Sequence, residues 1–178
     1  MASLPAGPLP RRGGRLTAIF VIMVAVGLAA TATWSYFQQP TDGPMAGEQA
    51  PAFTVQTLDG SDLTLNDLTE AGQPVVISLW ATWCTACEEQ AAELRAFSGG
   101  SSVPVAAIAV RDDLADVEAH WDGEASNVVV AVDESGSMAE AYQAVGLPVT
   151  YVISPDGTVL HQVGGLVQAP TLERLVGG

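Results

Sequence analysis

Apolar residues are spread unevenly along the 178 positions, and their grouping predicts most of the structural elements. Residues 16–37 carry no charge, and between Ile19 and Ala30 no polar position recurs at helical spacing, which argues against an ordinary amphipathic helix. At about 1.5 Å per residue, a helix of that length spans the ~30 Å hydrocarbon core of a bilayer. Further on, the runs 74–80 and 103–110 are nearly all apolar and rich in β-branched residues, as strands covered on both faces are. Shorter runs at 128–132 and 149–153 predict two more strands. Ser154-Pro155-Asp156-Gly157 is a β-turn that folds 149–153 onto 159–163. Asp59-Gly60 marks a second hairpin, between 53–55 and 63–65, with one helical turn at 66–68; these pieces are expected at the sheet edge. Helices are predicted at 88–97, ended by Gly99-Gly100, and at 114–121, where Leu114, Val117 and Trp121 share a face. Two more are expected at 138–145 and at 169–176, the latter with Pro170 in its first turn. Strands alternating with helices and closed by a hairpin predict an α/β fold, a central mixed β-sheet flanked by helices. The length allows one such domain, at 50–178.

Charge sharpens the reading of the first apolar run. Arg11, Arg12 and Arg15 precede it, while Trp34 and Tyr36 stand at its far end as interfacial anchors. The positive-inside rule then places residues 1–15 in the cytoplasm and makes 16–37 a single-pass transmembrane anchor. Residues 38–49, rich in proline, glycine and polar side chains, read as a tether. The domain is expected on the periplasmic or extracellular side of the cell membrane. A cleaved signal peptide ending near Ala30-Thr31-Ala32 is the competing reading, and it exports the domain equally. Behind the apolar run stand three arginines, no lysine and twenty carboxylates, a formal charge of about −17. Such a surface repels nucleic acid. It suits a salty medium or a cationic partner, and simple solubility accounts for it equally well.

Candidate chemistry rests on the only two cysteines, Cys84 and Cys87. A pair at this spacing is a redox couple, half of a zinc site or a structural disulfide. Zinc needs two further ligands, and His120 and His161 stand far apart with no motif around either. A structural bridge closing so short a loop adds little stability. The redox reading gains from position, between a buried strand and a helix start. There, unsatisfied N–H groups and the helix dipole stabilise a thiolate on the first cysteine and lower its pKa from about 8.5 towards roughly 3.5–7.5. Cys84 is therefore the expected nucleophile and Cys87 the resolving thiol. Trp83 supplies an apolar wall for a bound peptide, or is simply core.

Trp80-Ala81-Thr82-Trp83-Cys84-Thr85-Ala86-Cys87 resembles the active-site segment of the thioredoxin superfamily. Ala50-Pro51-Ala52-Phe53, Val145-Gly146-Leu147-Pro148-Val149-Thr150 and Ile153-Ser154-Pro155-Asp156-Gly157 are similar to motifs of its TlpA/ResA branch of membrane-anchored thiol-disulfide oxidoreductases. The resemblance implies a thioredoxin-like fold and a cis Leu147-Pro148 bond facing the cysteines. It also implies that Leu147 offers backbone hydrogen bonds to an extended substrate. No cofactor is implied beyond the redox-active Cys84-Cys87 disulfide, and no metal. Ser78 and Gln90 stand where relatives keep an acid, which leaves Glu89, or Glu88, as the nearby candidate for a proton relay. The implied function is an extracytoplasmic reductase that takes electrons from a membrane thiol donor and passes them to disulfides of exported proteins, apocytochrome c among them. A disulfide-forming oxidant or isomerase, and a redox-inert binding module, use the same fold. A peroxidase of the same fold would carry a threonine or serine three positions before its cysteine and a proline seven before; Ala81 and Ile77 stand there.

Overall fold

Three parallel strands form the centre of the sheet, and they are mostly hydrophobic because helices cover both faces of the sheet there. They are β3 (Val75–Trp80), β4 (Val105–Val110) and β5 (Val128–Asp133); β3 and β4 are buried at every position. The computed structural model that shows them describes residues 44–121 and 127–177. The predicted anchor at 16–37, residues 1–15 and the first half of the tether, 38–43, lie outside that description. No helix among the described residues is long and apolar enough to cross a membrane.

β6 (Val149–Ile153) runs antiparallel to β3, with Ser78 opposite Thr150, and turns back into β7 (Val159–Gly164). On the other side β1 (Thr54–Thr57) and β2 (Asp62–Thr64) form the hairpin around Asp59-Gly60. The order is β2-β1-β5-β4-β3-β6-β7. The first hairpin is expected wholly at the edge; instead β1 pairs with β5 through Gln56 and Thr57, and of the hairpin's two strands β2 alone is an edge, with β7 the edge on the other side.

Side chains alternate across the sheet with period two. Ile77, Leu79, Ile108 and Tyr151 enter one core, which α1 (Leu65–Thr69) and α4 (Ser137–Ala141) help to cover. Val76, Trp80, Ala107 and Val152 enter the other, against Leu94 and Phe97 of α2 (Thr85–Gly100), Val117 of α3 (Leu114–His120) and Leu172 of α5 (Ala169–Val176). The mixed sheet with helices on both faces is as the pattern predicted.

The larger differences from the expected bounds lie at two helices and at the end of the tether. The helix expected at 88–97 starts at Thr85 and runs through Gly99 and Gly100, stopping where Ser101 turns extended. Those two glycines are exposed, so the helix loses only their poor intrinsic propensity, while buried Leu94, Phe97 and Ser98 hold the turn before them. The helix expected to reach residue 145 stops after Ala141, because the Tyr151 hydroxyl takes the Tyr142 carbonyl at 3.0 Å and Gln143 adopts a left-handed φ of 49°. Finally, the end of the tether is tied to the domain: Gly47 N–H donates to Val159 O, Val159 N–H to Glu48 O and Ala50 N–H to Gly157 O, at 2.8–2.9 Å.

Candidate active site

The carboxyl ends of β3, β4 and β5 lie side by side, and it is beyond such ends that α/β sheets present their ligand sites. From β3 the chain passes through a tight turn, in which Cys84 N–H donates to Ala81 O at 3.1 Å, and enters α2. Cys84 is the N-cap of that helix, with extended backbone and no side-chain cap. The start at Thr85 therefore brings the whole cysteine turn into the first turn of α2, where unpaired N–H groups and the helix dipole favour an anion. The two cysteines form a disulfide with a Cα–Cα distance of 5.3 Å. Cys87 is 1% exposed, whereas Cys84 is half-buried, so an incoming thiol or disulfide meets Cys84 first.

Opposite the disulfide the chain from α4 to β6 contains the cis Leu147-Pro148 bond. Trp83, Cys84, Arg111, Val145 and Leu147 line one cleft of about 350 Å³. Its rim is apolar and open, with Trp83 64% and Val145 80% exposed. Arg111 is the cation in the wall; it pairs with Glu140 at 3.2 Å, and its side chain lies over Gly136, where any Cβ would come within 2.6 Å of Nε. Pro148 faces the adjoining hollow with Gly164 and Gly165, its carbonyl accepting the Gly165 N–H at 2.8 Å. Trp83, Cys84 and Leu147 are thus brought together, with Cys87 behind and Pro148 alongside.

Glu89 is not brought to the dithiol. It is exposed on α2 two residues beyond buried Cys87, about 200° round the helix axis, and side chains so spaced do not face each other. Glu88 is exposed as well. The two positions where relatives keep an acid are occupied by neutral groups already engaged. Ser78 Oγ lies 3.2 Å from Thr150 Oγ1 in the buried sheet. Gln90, fully buried, accepts the Val167 N–H at 2.7 Å and donates to the Val167 carbonyl at 3.4 Å.

One site residue escaped the sequence reading. Asp112, in the loop after β4, is 8% exposed and accepts two hydrogen bonds from Thr82, from its N–H at 2.7 Å and its hydroxyl at 2.9 Å. The signal was an acid just past the carboxyl end of a central strand, next to Arg111, but nothing local names Thr82 as its partner. Among the described residues no group of three or more His, Cys, Asp or Glu side chains is gathered as a metal site.

Residues 46–162 match the model of the AhpC/TSA family. The thiol-disulfide oxidoreductase ResA of Bacillus thuringiensis is 24% identical over 88% of this chain and 91% of its own. The thiol:disulfide interchange protein DsbE of Xylella fastidiosa is 27% identical over 86% of this chain and 79% of its own. Among solved structures, a secreted disulfide oxidoreductase of Mycobacterium tuberculosis superposes with a TM-score of 0.62 at 23% identity, over 70% of this chain and 94% of that one, and carries the same thioredoxin-like fold.

Proposed function

The chain belongs to the AhpC/TSA family and is a thiol-disulfide oxidoreductase related to ResA and DsbE, and we propose that it works as a reductase of disulfides in exported proteins. The observation that carries the dithiol exchange itself is the unequal access of the two sulfurs: Cys84 opens on an apolar cleft, and Cys87 is sealed behind it. The Cys84 thiolate attacks a substrate disulfide, forming a mixed disulfide and releasing one substrate sulfur as a thiolate. Cys87 gives up its proton and attacks Cys84, which closes the Cys84–Cys87 bridge and frees the second substrate sulfur. Two electrons pass to the substrate, with one proton from Cys87 and one taken up from solvent. Enzymes of this kind use no cofactor, so a thiol donor must reduce the bridge again for the next turnover.

Several features support the reducing direction and the place of work. Between the cysteines, Thr85-Ala86 carries no histidine or cation to stabilise a thiolate, and a less stable thiolate makes a couple more reducing. Residues 16–37, preceded by three arginines, have the pattern of an anchor that leaves the domain outside the cytoplasm. A membrane thiol carrier is then the fitting donor, and disulfides of exported proteins, apocytochrome c included, the fitting substrates. The extended substrate lies between Trp83 and the backbone of Leu147.

Equilibration of the full chain with thiol buffers tests the direction. A reduction potential well below about −150 mV is expected; a value near that of strongly oxidising members of the fold, about −120 mV, would make the protein a disulfide-forming oxidant instead. Protease added outside intact spheroplasts should digest the acidic domain and spare the N-terminus. A shortened, soluble exported product would show cleavage in place of anchoring.

A further inference from the structure

We propose that Asp112 is a positioning residue for the reacting dithiol: its carboxylate fastens the turn at 81–84 through Thr82 and, as a buried negative charge, keeps the Cys84–Cys87 couple more reducing. Of the two buried carboxylates among the described residues, Asp133 is occupied in capping α4, accepting the N–H groups of Met138 at 2.9 Å and Ala139 at 3.2 Å. Asp112 goes to the cysteine turn, with both its hydrogen bonds from Thr82, two residues before the nucleophile. Hydrogen bonds to an ionised acceptor are the strong ones, and a buried charge needs such partners to remain buried.

The backbone is built to deliver this contact. Arg111 takes a left-handed φ of 56°, a conformation a residue with a Cβ adopts at a cost, held by its N–H to Asp133 O at 2.9 Å. Past that step three consecutive side chains part: Arg111 lines the cleft, Asp112 takes Thr82, and Asp113 caps α3 by accepting the Asp116 N–H at 2.9 Å.

The sign of the electrostatic effect follows from which state carries the thiolate. Only the reduced enzyme does, so a neighbouring carboxylate destabilises that state and lowers the potential. The groups around Cys84 are Arg111 in the cleft wall and the N-terminal end of α2, which favour the thiolate, and Glu88 on α2 and Asp112 behind Thr82, which oppose it. The loop at 144–148 brings no titratable side chain. Ser78 and Gln90 are neutral, which leaves Asp112 as the buried charge at this site.

Asp112→Asn separates charge from shape, since its amide can still accept the Thr82 N–H and donate to the hydroxyl. In the full chain, the pH profile of Cys84 alkylation should move down by on the order of one unit. The dithiol–disulfide equilibrium should shift about tenfold towards the dithiol, some 30 mV more oxidising. Wild-type values for both in Asp112→Asn would overturn the proposal. Thr82→Val removes the hydroxyl contact and leaves the charge, so its profile should not move down. A downward move equal to that of Asp112→Asn would overturn the proposal too, because it would assign the effect to a loosened turn. The inference rests on the dithiol reading above and not on its direction: the wild-type potential tests direction, and the difference between wild type and Asp112→Asn tests Asp112.

Discussion

Gln90 gives both ends of its side-chain amide to the backbone of Val167, at a depth where water reaches neither partner. The residue three positions after Cys87 therefore acts on structure: it ties α2 to the segment before α5, beside Glu93, which accepts the Ala169 N–H at 2.7 Å. Gln90→Ala leaves the buried Val167 N–H and carbonyl without these partners and should lower the unfolding free energy of the oxidised protein by about 2–3 kcal/mol, read by urea denaturation. A change within about 0.5 kcal/mol would mean that water or a shifted backbone replaces the clamp. At this scale the chemistry of the cysteines was legible, because a cysteine pair between a buried strand and a helix start has few uses. The contacts that hold the pair were not. Asp112 meets Thr82 across 30 positions and Gln90 meets Val167 across 77, and no local pattern specifies either pairing. Glu89 shows the converse: nearness in sequence suggested a relay, and helix geometry turned the side chain away from Cys87.

The elements that could be read best are those whose burial is complete. β3 and β4 are hydrophobic at nearly every position because both faces are covered, and their limits in the sequence are close to their limits in the sheet. α4 was read too long, since its end depends on a hydroxyl from β6 and not on any breaker in its own sequence. The β1–β2 turn rests on a short-range network: Asp59 accepts from the Ser61 hydroxyl at 2.6 Å, the Thr57 hydroxyl at 2.5 Å and the Ser61 N–H at 3.0 Å. These bonds, the Ser61 hydroxyl first and Thr57 next, lower the Asp59 pKa from 3.8 to about 2. A carboxyl held below its unfolded value contributes stability that is present above about pH 4 and lost as pH falls through about 2. The urea midpoint of wild type should therefore fall across that window more steeply than that of Asp59→Asn. Parallel curves for the two proteins would show that the turn gains nothing from the ionised side chain.

At the scale of the whole molecule, the acidic surface and the apolar cleft act on different stages of an encounter. Three arginines against twenty carboxylates behind the apolar run set a long-range field that draws cationic partners and slows anionic ones. Rate constants for reducing a basic protein disulfide should fall by tenfold or more between about 0.01 and 1 M salt, as screening shortens from ~30 Å to ~3 Å, and those for an acidic one should rise. Equal salt dependence for both would place recognition entirely in the cleft lined by Trp83, Val145 and Leu147. Either way, in the proposed reaction the half-buried sulfur at the head of α2 reacts first and the buried one completes the exchange. That division of labour is tested most directly by mass spectrometry of full-length Cys87→Ser and Cys84→Ser chains, each reduced and then mixed with a disulfide-bonded protein. A stable mixed disulfide through Cys84 in the first variant and none in the second is the predicted result. Adducts through Cys87 in the second variant, with none in the first, would contradict the account.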